Sequence, residues 1–452
     1  MIDISVDELI ALDQAHLIHP LHNPVGHAQA GPVILVSGQG AIVRDAHGRE
    51  YIDGLSQLWN VNVGHGRREL AEAAAQQMSQ LAFASNYTGQ ANIPAIRLAE
   101  KLVQISYPNL QAVFFTSGGA ESNESAFKLA RSYWRLRGHP NKVKIISRRW
   151  AYHGVTLGAM SATGMSAYWP QFEPRVPGFI QVAPPYCYRC ELGRTPGNCP
   201  IDTAEDLEQT ILREGPETVA AFIAEPVMGA GGVIPPPPEY FPRVREVCNR
   251  YQVLLIADEV ITGFGRTGRM FALHHWNVQP DIVSFAKGVT SAYIQLGGII
   301  ISRELAEALR SLPPDQPWMH AYTYSGHATA CAVGLKNIEI IEREGLVERA
   351  AEMGARLLAG LRTLESLPVV GEVRGLGLMC GVELVRDRAT REAYPTASQI
   401  GARVIAAARQ RGVLFRNRGD VIMMAPPLVI TAEQIDRMVN VLGEAIREVT
   451  TT

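Results

Sequence analysis

Lys287 stands in SFAKGV, Ser284 to Val289, just after the apolar pair Ile282 and Val283. A lysine at the end of a strand that reads as buried costs free energy unless it is paired or put to chemical use. Partly desolvated, its amine has a lowered pKa and becomes a nucleophile toward aldehydes. Asp258 and Glu259 close the apolar run VLLIADE, and strand ends of this kind are where open α/β sheets bind ligands. Asp258 and Lys287 are 29 residues apart (287 − 258). That is about one strand–helix–strand unit, so both can reach the same sheet edge. A third stretch, FFTSGGAESNESA from Phe114 to Ala126, reads as a strand end, two glycines and a helix start. Gly118 and Gly119 let a ligand approach the backbone, and the helix start offers free N–H groups and a positive dipole end, which together suit a phosphate. Neither the GxGxxG nor the GxxxxGK[ST] spacing occurs in this stretch.

Each stretch alone has a plainer reading. Lys287 could be a snorkelling surface lysine. The two acids could cap a helix or hold magnesium, and the glycines could make only a tight turn. Taken together they supply a phosphate cradle, an acid able to keep a pyridine nitrogen protonated and an amine for an aldehyde, the set that pyridoxal 5′-phosphate needs. Two further stretches fit this set. RWAYHGVTLGAMSATG places Tyr152 and His153 before a glycine, where an aromatic ring could stack on a planar ligand or simply fill core. HAYTYSGHATACAVG offers the hydroxyls of Thr323 and Ser325 just before a small-residue helix, and Ser325 could equally cap that helix.

These residues need a sheet to bring them together. Short apolar runs at Ala112–Thr116, Val143–Ser147, Val219–Ala224, Val253–Ala257, Asp281–Ala286 and Gly297–Ser302 read as strands buried on both faces. Helical patterns lie between them, with Ala126, Leu129, Ala130, Tyr133 and Trp134 on one apolar face. The alternation predicts an α/β fold with a mostly parallel sheet. Before it come a helix and then strands, with a hairpin turn at DAHG. From about Ser325 the pattern becomes helical, then strand-rich through VVGEVRGLGLMCGVELV and GVLFRNRGDVIMMAPPLVI, as expected of an α+β lobe joined in space by the N-terminal strands. The expected division is 1–60 and 326–452 for the small lobe and 61–325 for the large one.

Length and composition, 452 residues with 47% hydrophobic, allow a large core. A formal net charge of −2 gives no reason to expect nucleic acid or anionic membrane as partner. The N-terminus lacks a basic region before an apolar one, and no apolar run has the length of a membrane span, so a cytoplasmic location is expected. The histidines show no metal spacing. Cys187, Cys190 and Cys199 cluster without a nearby fourth ligand, so reduced thiols in a loop are expected rather than a metal site. Cys248, Cys331 and Cys380 read as core.

The stretches TSGGAESNESAFKLAR, YHGVTLGAMS, AEPVMGAGG, IADEVITGFGRTG, SFAKGV and YTYSGHATACA, in this order, resemble the class III aminotransferases, the ω-transaminase branch of the fold-type-I pyridoxal-phosphate enzymes. The resemblance spans nearly the whole chain. It implies a large domain with a mostly parallel seven-stranded sheet flanked by helices, and a smaller α+β lobe built from both termini. It implies that Lys287 binds the cofactor covalently and shuttles a proton, and that Asp258 partners the pyridine nitrogen. Val260 and Tyr152 match residues on the two faces of the ring. Ser117, Gly118 and Gly119 resemble the phosphate cup, and Glu225 an acid near the phenolic oxygen. Thr323 matches a phosphate ligand donated by the other subunit, which implies a homodimer with shared sites, possibly a tetramer. Trp59, Tyr87 and Tyr152 match substrate-pocket positions, and Arg416 a mobile arginine that binds a carboxylate, with Arg418 close enough to compete. Gly288 is expected to keep the chain close to the cofactor. The implied activity is ping-pong transfer of an amino group from an ω-amino acid or primary amine to pyruvate or a similar keto acid. A decarboxylase or aminomutase of the same fold, or a non-catalytic cofactor-binding protein, are the alternatives.

Overall fold

The computed structural model describes residues 4–21, 23, 25, 31–87, 89–193 and 202–451. Helix α1, Val6–His16, is followed by β1 (Leu35–Gln39), β2 (Ile42–Asp45) and β3 (Glu50–Asp53). The turn joining β2 to β3 is the DAHG hairpin. Asp45 Oδ1 accepts from the N–H groups of His47 at 2.9 Å and Arg49 at 3.0 Å, and Gly48 takes a positive φ of 81°. An aspartate folding its own turn is what its short acceptor side chain does best.

The large sheet contains β4 (Leu110–Thr116), β5 (Lys144–Arg148), β6 (Phe179–Val182), β7 (Val219–Ala224), β8 (Leu254–Asp258), β9 (Ile282–Phe285) and β10 (Gly297–Ser302). They lie in the order β4-β10-β9-β8-β7-β5-β6. Only β10 runs against its neighbours, antiparallel to both β4 and β9. Every residue of β7, β8, β9 and β10 is buried, as their largely apolar sequences require with helices on both faces. The four-residue edge strand β6 was not among the expected strands: FIQV is short, half-buried and interrupted by Gln181. Helix α2, Gly119–Leu136, lies across the sheet and buries the predicted face of Ala126, Leu129, Ala130, Tyr133 and Trp134.

The remaining chain forms α3 (Ala328–Arg343), α4 (Leu346–Arg362) and the strands β11 (Val370–Gly375), β12 (Cys380–Leu384), β13 (Val413–Leu414), β14 (Arg416–Arg418) and β15 (Val421–Met424). Strands β11, β12, β15 and β14 form one sheet in that order. Strand β13 pairs in parallel with β3, so the two ends of the chain share a sheet, β1-β2-β3-β13. The C-terminal ends of β4, β5, β7, β8 and β9, and the start of β10, therefore meet at one edge. Gly297, at that start, is packed so closely that a Cβ would lie 2.9 Å from the carbonyl group of Gly118.

Candidate active site

A cavity of about 440 Å³ opens at this edge. Its floor is Asp258, the last residue of β8, only 3% exposed. Asp258 Oδ2 accepts from Asn123 Nδ2 at 2.8 Å and His153 Nδ1 at 2.7 Å, and Oδ1 accepts from the Val260 N–H at 3.2 Å. Its neighbour Glu259 points the other way, as successive strand residues must. Glu259 is satisfied by Tyr107 Oη at 2.7 Å, Thr262 Oγ1 at 2.5 Å and the Ala272 N–H at 2.7 Å. The two acids thus do not face one ion, and the magnesium reading falls.

Lys287 lies two residues past the end of β9 and lines the cavity with a left-handed φ of 46°. Such a conformation in a residue with a Cβ persists only where its surroundings impose it. The protein packed around it lowers its pKa by burial, against the opposing pull of Asp258 and then Glu225; the Arg416 charge adds to the lowering. Gly288 serves packing instead of ligand approach: a Cβ there would lie 2.7 Å from Asn62 Nδ2 and 3.0 Å from Phe264 Cβ.

Glu225, one residue past β7, accepts from the N–H groups of Tyr152 at 3.0 Å and Gly229 at 2.8 Å, and burial raises its pKa. Tyr152 and Val260 both line the cavity. Gly119 is where it is because of Val260: a Cβ on Gly119 would meet Val260 Cγ1 at 2.8 Å. Ser117 donates its N–H to Glu121 Oε2 at 2.7 Å. The N–H groups of Gly118, Gly119 and Ala120, at the start of α2, have no partner among the described residues, as expected of a free helix end.

Arg416, on β14, is half-buried, and its charge bears on both Lys287 and Tyr152. Among the described residues its side chain makes no hydrogen bond or ion pair. Arg418 is committed elsewhere, over the Trp150 ring at 4.0 Å and to the Gly231 carbonyl at 3.2 Å. Trp59 is 2% exposed and packs among Leu55, Ile261 and Met423; Asn60 and Ile261 present the cavity face. Tyr87 and Thr323 lie on exposed segments outside this chain's own cavity. Ser325 does not cap α3: the helix starts after His327 with no side-chain cap, and the Ser325 hydroxyl has no partner. Cys187 and Cys190 are half-buried, Cys199 lies outside the described residues, and no group of three or more His, Cys, Asp or Glu among the described residues could hold a metal.

Asn123 is the residue that sequence reasoning passed over. It lies one helical turn beyond Gly119 and so on the same face of α2, a spacing that points it at whatever the glycine contacts. His153, noted only beside Tyr152, is the second support of Asp258. Beside the floor, the buried atoms Asn123 Oδ1 and His153 Nε2 have no partner. Free N–H groups at one end, a held carboxylate at the other and an amine between them fit pyridoxal phosphate.

Residues 25–446 match the family model for class III aminotransferases. A thermostable (S)-enantioselective ω-transaminase from Thermomicrobium roseum shares 51% identity over 99% of both chains, with a TM-score of 0.95. The Pseudomonas jessenii ω-transaminase, solved in complex with PMP, shares 38% over 98% of both chains, with a TM-score of 0.93. The putrescine–pyruvate aminotransferase of Pseudomonas aeruginosa is 38% identical over 96% of this chain and 95% of its own. The chain belongs to the class III aminotransferases, enzymes of fold type I that depend on pyridoxal 5′-phosphate.

Proposed function

We propose that this aminotransferase moves an amino group from an ω-amino acid or primary amine to pyruvate or a similar keto acid, in two half-reactions at one site. The observation that carries the reading is that Lys287 and Asp258 line one cavity, with the Arg416 guanidinium near enough for its charge to bear on Lys287. Bound pyridoxal phosphate supplies an aldehyde for the incoming amine and a ring that absorbs the charge left when a proton is removed. Everything else falls to this chain's residues. Lys287, its pKa lowered, would serve as the base that takes the substrate's α-proton and carries a proton past the amine nitrogen to the carbon beyond it. Asp258 would hold the ring nitrogen's proton, and Asn123 and His153 hold the Asp258 side chain in place for it. The N–H groups of Gly118, Gly119 and Ala120 receive the phosphate, with Ser117 at the mouth of the cup. Tyr152 and Val260 would lie on the two faces of the ring, and Glu225 would stand near its phenolic oxygen. Arg416 pairs with the carboxylate of an amino or keto acid in bidentate fashion, and must withdraw when the same space takes an apolar substituent.

The working unit is a homodimer with shared sites. Thr323 would reach the partner's phosphate cup, and Tyr87 its substrate pocket. The exposure of Met319 (84%), Tyr324 (60%) and Tyr87 (44%) supports this, because large apolar groups gathered on the segments that carry these two residues favour a partner. No helix among the described residues is long and apolar enough to cross a membrane.

A donor panel with pyruvate as acceptor, run with wild type and Arg416→Ala, tests the reading. Loss of about 10- to 100-fold in kcat/KM for pyruvate and carboxylated donors is expected, with simple amines spared in the donor half-reaction. Equal kinetics for carboxylated and simple donors in both proteins would remove Arg416 from the site. Release of carbon dioxide or an isomer without any keto acid would favour the decarboxylase or aminomutase alternative.

A further inference from the structure

After β3 the chain passes through GLSQLWN, Gly54 to Asn60, with its backbone bent against the preferences of its residues. Ser56, Gln57 and Trp59 all have positive φ, at 51°, 58° and 64°. Gln57 combines its φ with a ψ of −79°, a γ-turn geometry that is rare and strained for any residue carrying a Cβ. Strain of this kind survives only where neighbouring structure over-determines it, and it gathers at functional sites.

Here the over-determination is visible. Asp53 receives the Gln57 N–H at 2.9 Å and its side-chain amide at 3.0 Å. The Ser56 hydroxyl donates to the Ala425 carbonyl at 2.7 Å and accepts from Arg266 Nη2 at 3.0 Å. The same nitrogen of Arg266 donates to Asn62 Oδ1 at 2.8 Å, and Nη1 donates to the Pro426 carbonyl at 2.5 Å. Arg266 is fully buried and forms no ion pair among the described residues. A guanidinium stripped of water with no carboxylate bonded to it is a costly choice. It does not line the cavity, so the chemistry of the site does not explain it. Its bonds do: one side chain from the large lobe ties the strained turn, Asn62 and the C-terminal segment together. The far end of that turn reaches the cavity, which Asn60 lines and where Trp59 backs the lining residue Ile261.

We propose that Arg266 is a positioning residue that holds the Ser56–Asn60 turn in its strained form, and that this form sets how large a substituent of the amine donor the cavity admits. This rests on the reading that the Trp59 side of the cavity receives the donor.

The test uses the cofactor-loaded enzyme with pyruvate and two donors, a short linear alkylamine and a bulky arylalkylamine. Ser56→Ala and Arg266→Lys are compared with Trp59→Ala. The bulky-to-linear ratio of kcat/KM is expected to change about tenfold in all three, since a displacement of about 1 Å at a site can cost that much or more. In Ser56→Ala and Arg266→Lys the change should lie in KM, with kcat for the linear amine within about twofold of wild type and the absorption spectrum of bound cofactor unchanged. If Arg266→Lys does not fold, Ser56→Ala carries the test, because it removes the same link at a small residue. A ratio that moves in Trp59→Ala but not in Ser56→Ala, with only a lowered melting temperature, overturns the positioning role. A ratio unmoved even in Trp59→Ala overturns the underlying placement of the donor, and the positioning role with it.

Discussion

Replacing Lys287 with methionine in the apoenzyme isolates the cost of putting an amine on the floor of this cavity. Methionine keeps the length of the stem and removes the nitrogen. In the folded chain burial is the largest influence on the amine and lowers its pKa below 10.5, outweighing the attraction of Asp258 and Glu225. The unfolded chain therefore holds its proton up to a higher pH than the folded one. Below the folded pKa both states are protonated, and folding carries the full cost of desolvating the ammonium. Between the folded pKa and 10.5 the cost fades by about 1.4 kcal/mol per pH unit, and above 10.5 it is gone. Apo Lys287→Met should accordingly be more stable than apo wild type near neutral pH, with the gap closing as the pH approaches 10.5. Each unit of that window corresponds to on the order of half a molar in urea midpoint, less to the extent that water in the cavity already solvates the amine. Urea unfolding of both apo proteins at about pH 7 and about pH 10, followed by fluorescence, measures the gap. A variant less stable than wild type at neutral pH would show that the carboxylates win and hold an ammonium. Lys287 would then reach the site protonated, and its role as a neutral base would have to be given up.

Three other outcomes follow from the same geometry. Lys287→Met should complete no second turnover with any donor, which a steady-state assay with pyruvate reads directly. Asp258→Asn removes the charge that holds the ring proton while leaving an atom of the same size between Asn123 and His153; the donor half-reaction should slow by about a hundredfold or more, with the fold intact by circular dichroism. Gly119→Ala pushes a methyl group to within 2.8 Å of Val260 Cγ1, an overpacking that costs about 1–3 kcal/mol and should weaken cofactor binding roughly tenfold in an equilibrium titration of the apoenzyme. Unchanged binding would mean that Val260 does not pack on the ring.

Much of this architecture is marked locally in the chain. Strands β7 to β10 are largely apolar runs, and Asp258 ending β8 or Lys287 shortly after β9 announces a polar group at the edge of a buried sheet. The 29-residue spacing of those two residues works because one crossover unit returns the chain to the same edge. What escaped was whatever depends on direction or on distant partners. Asp258 and Glu259 are equivalent as letters, and only the pleat turns one to the cavity and the other to Tyr107. Arg416 and Arg418 fall on the same side of a short strand, and it is the Trp150 ring and the Gly231 carbonyl that claim Arg418. Tyr87 and Thr323 lie outside the cavity of the chain that carries them, so no single-chain reading of spacing could have assigned them to it. The Ser56–Trp59 turn is the strongest case. Positive φ at three residues that are not glycine leaves no compositional trace, because the strain is stabilised by Asp53 nearby and by Arg266, some 200 positions away (266 − 56 = 210). A site built from strand ends can be read along the chain; a wall held by an arginine from another segment becomes visible only when the contacts are.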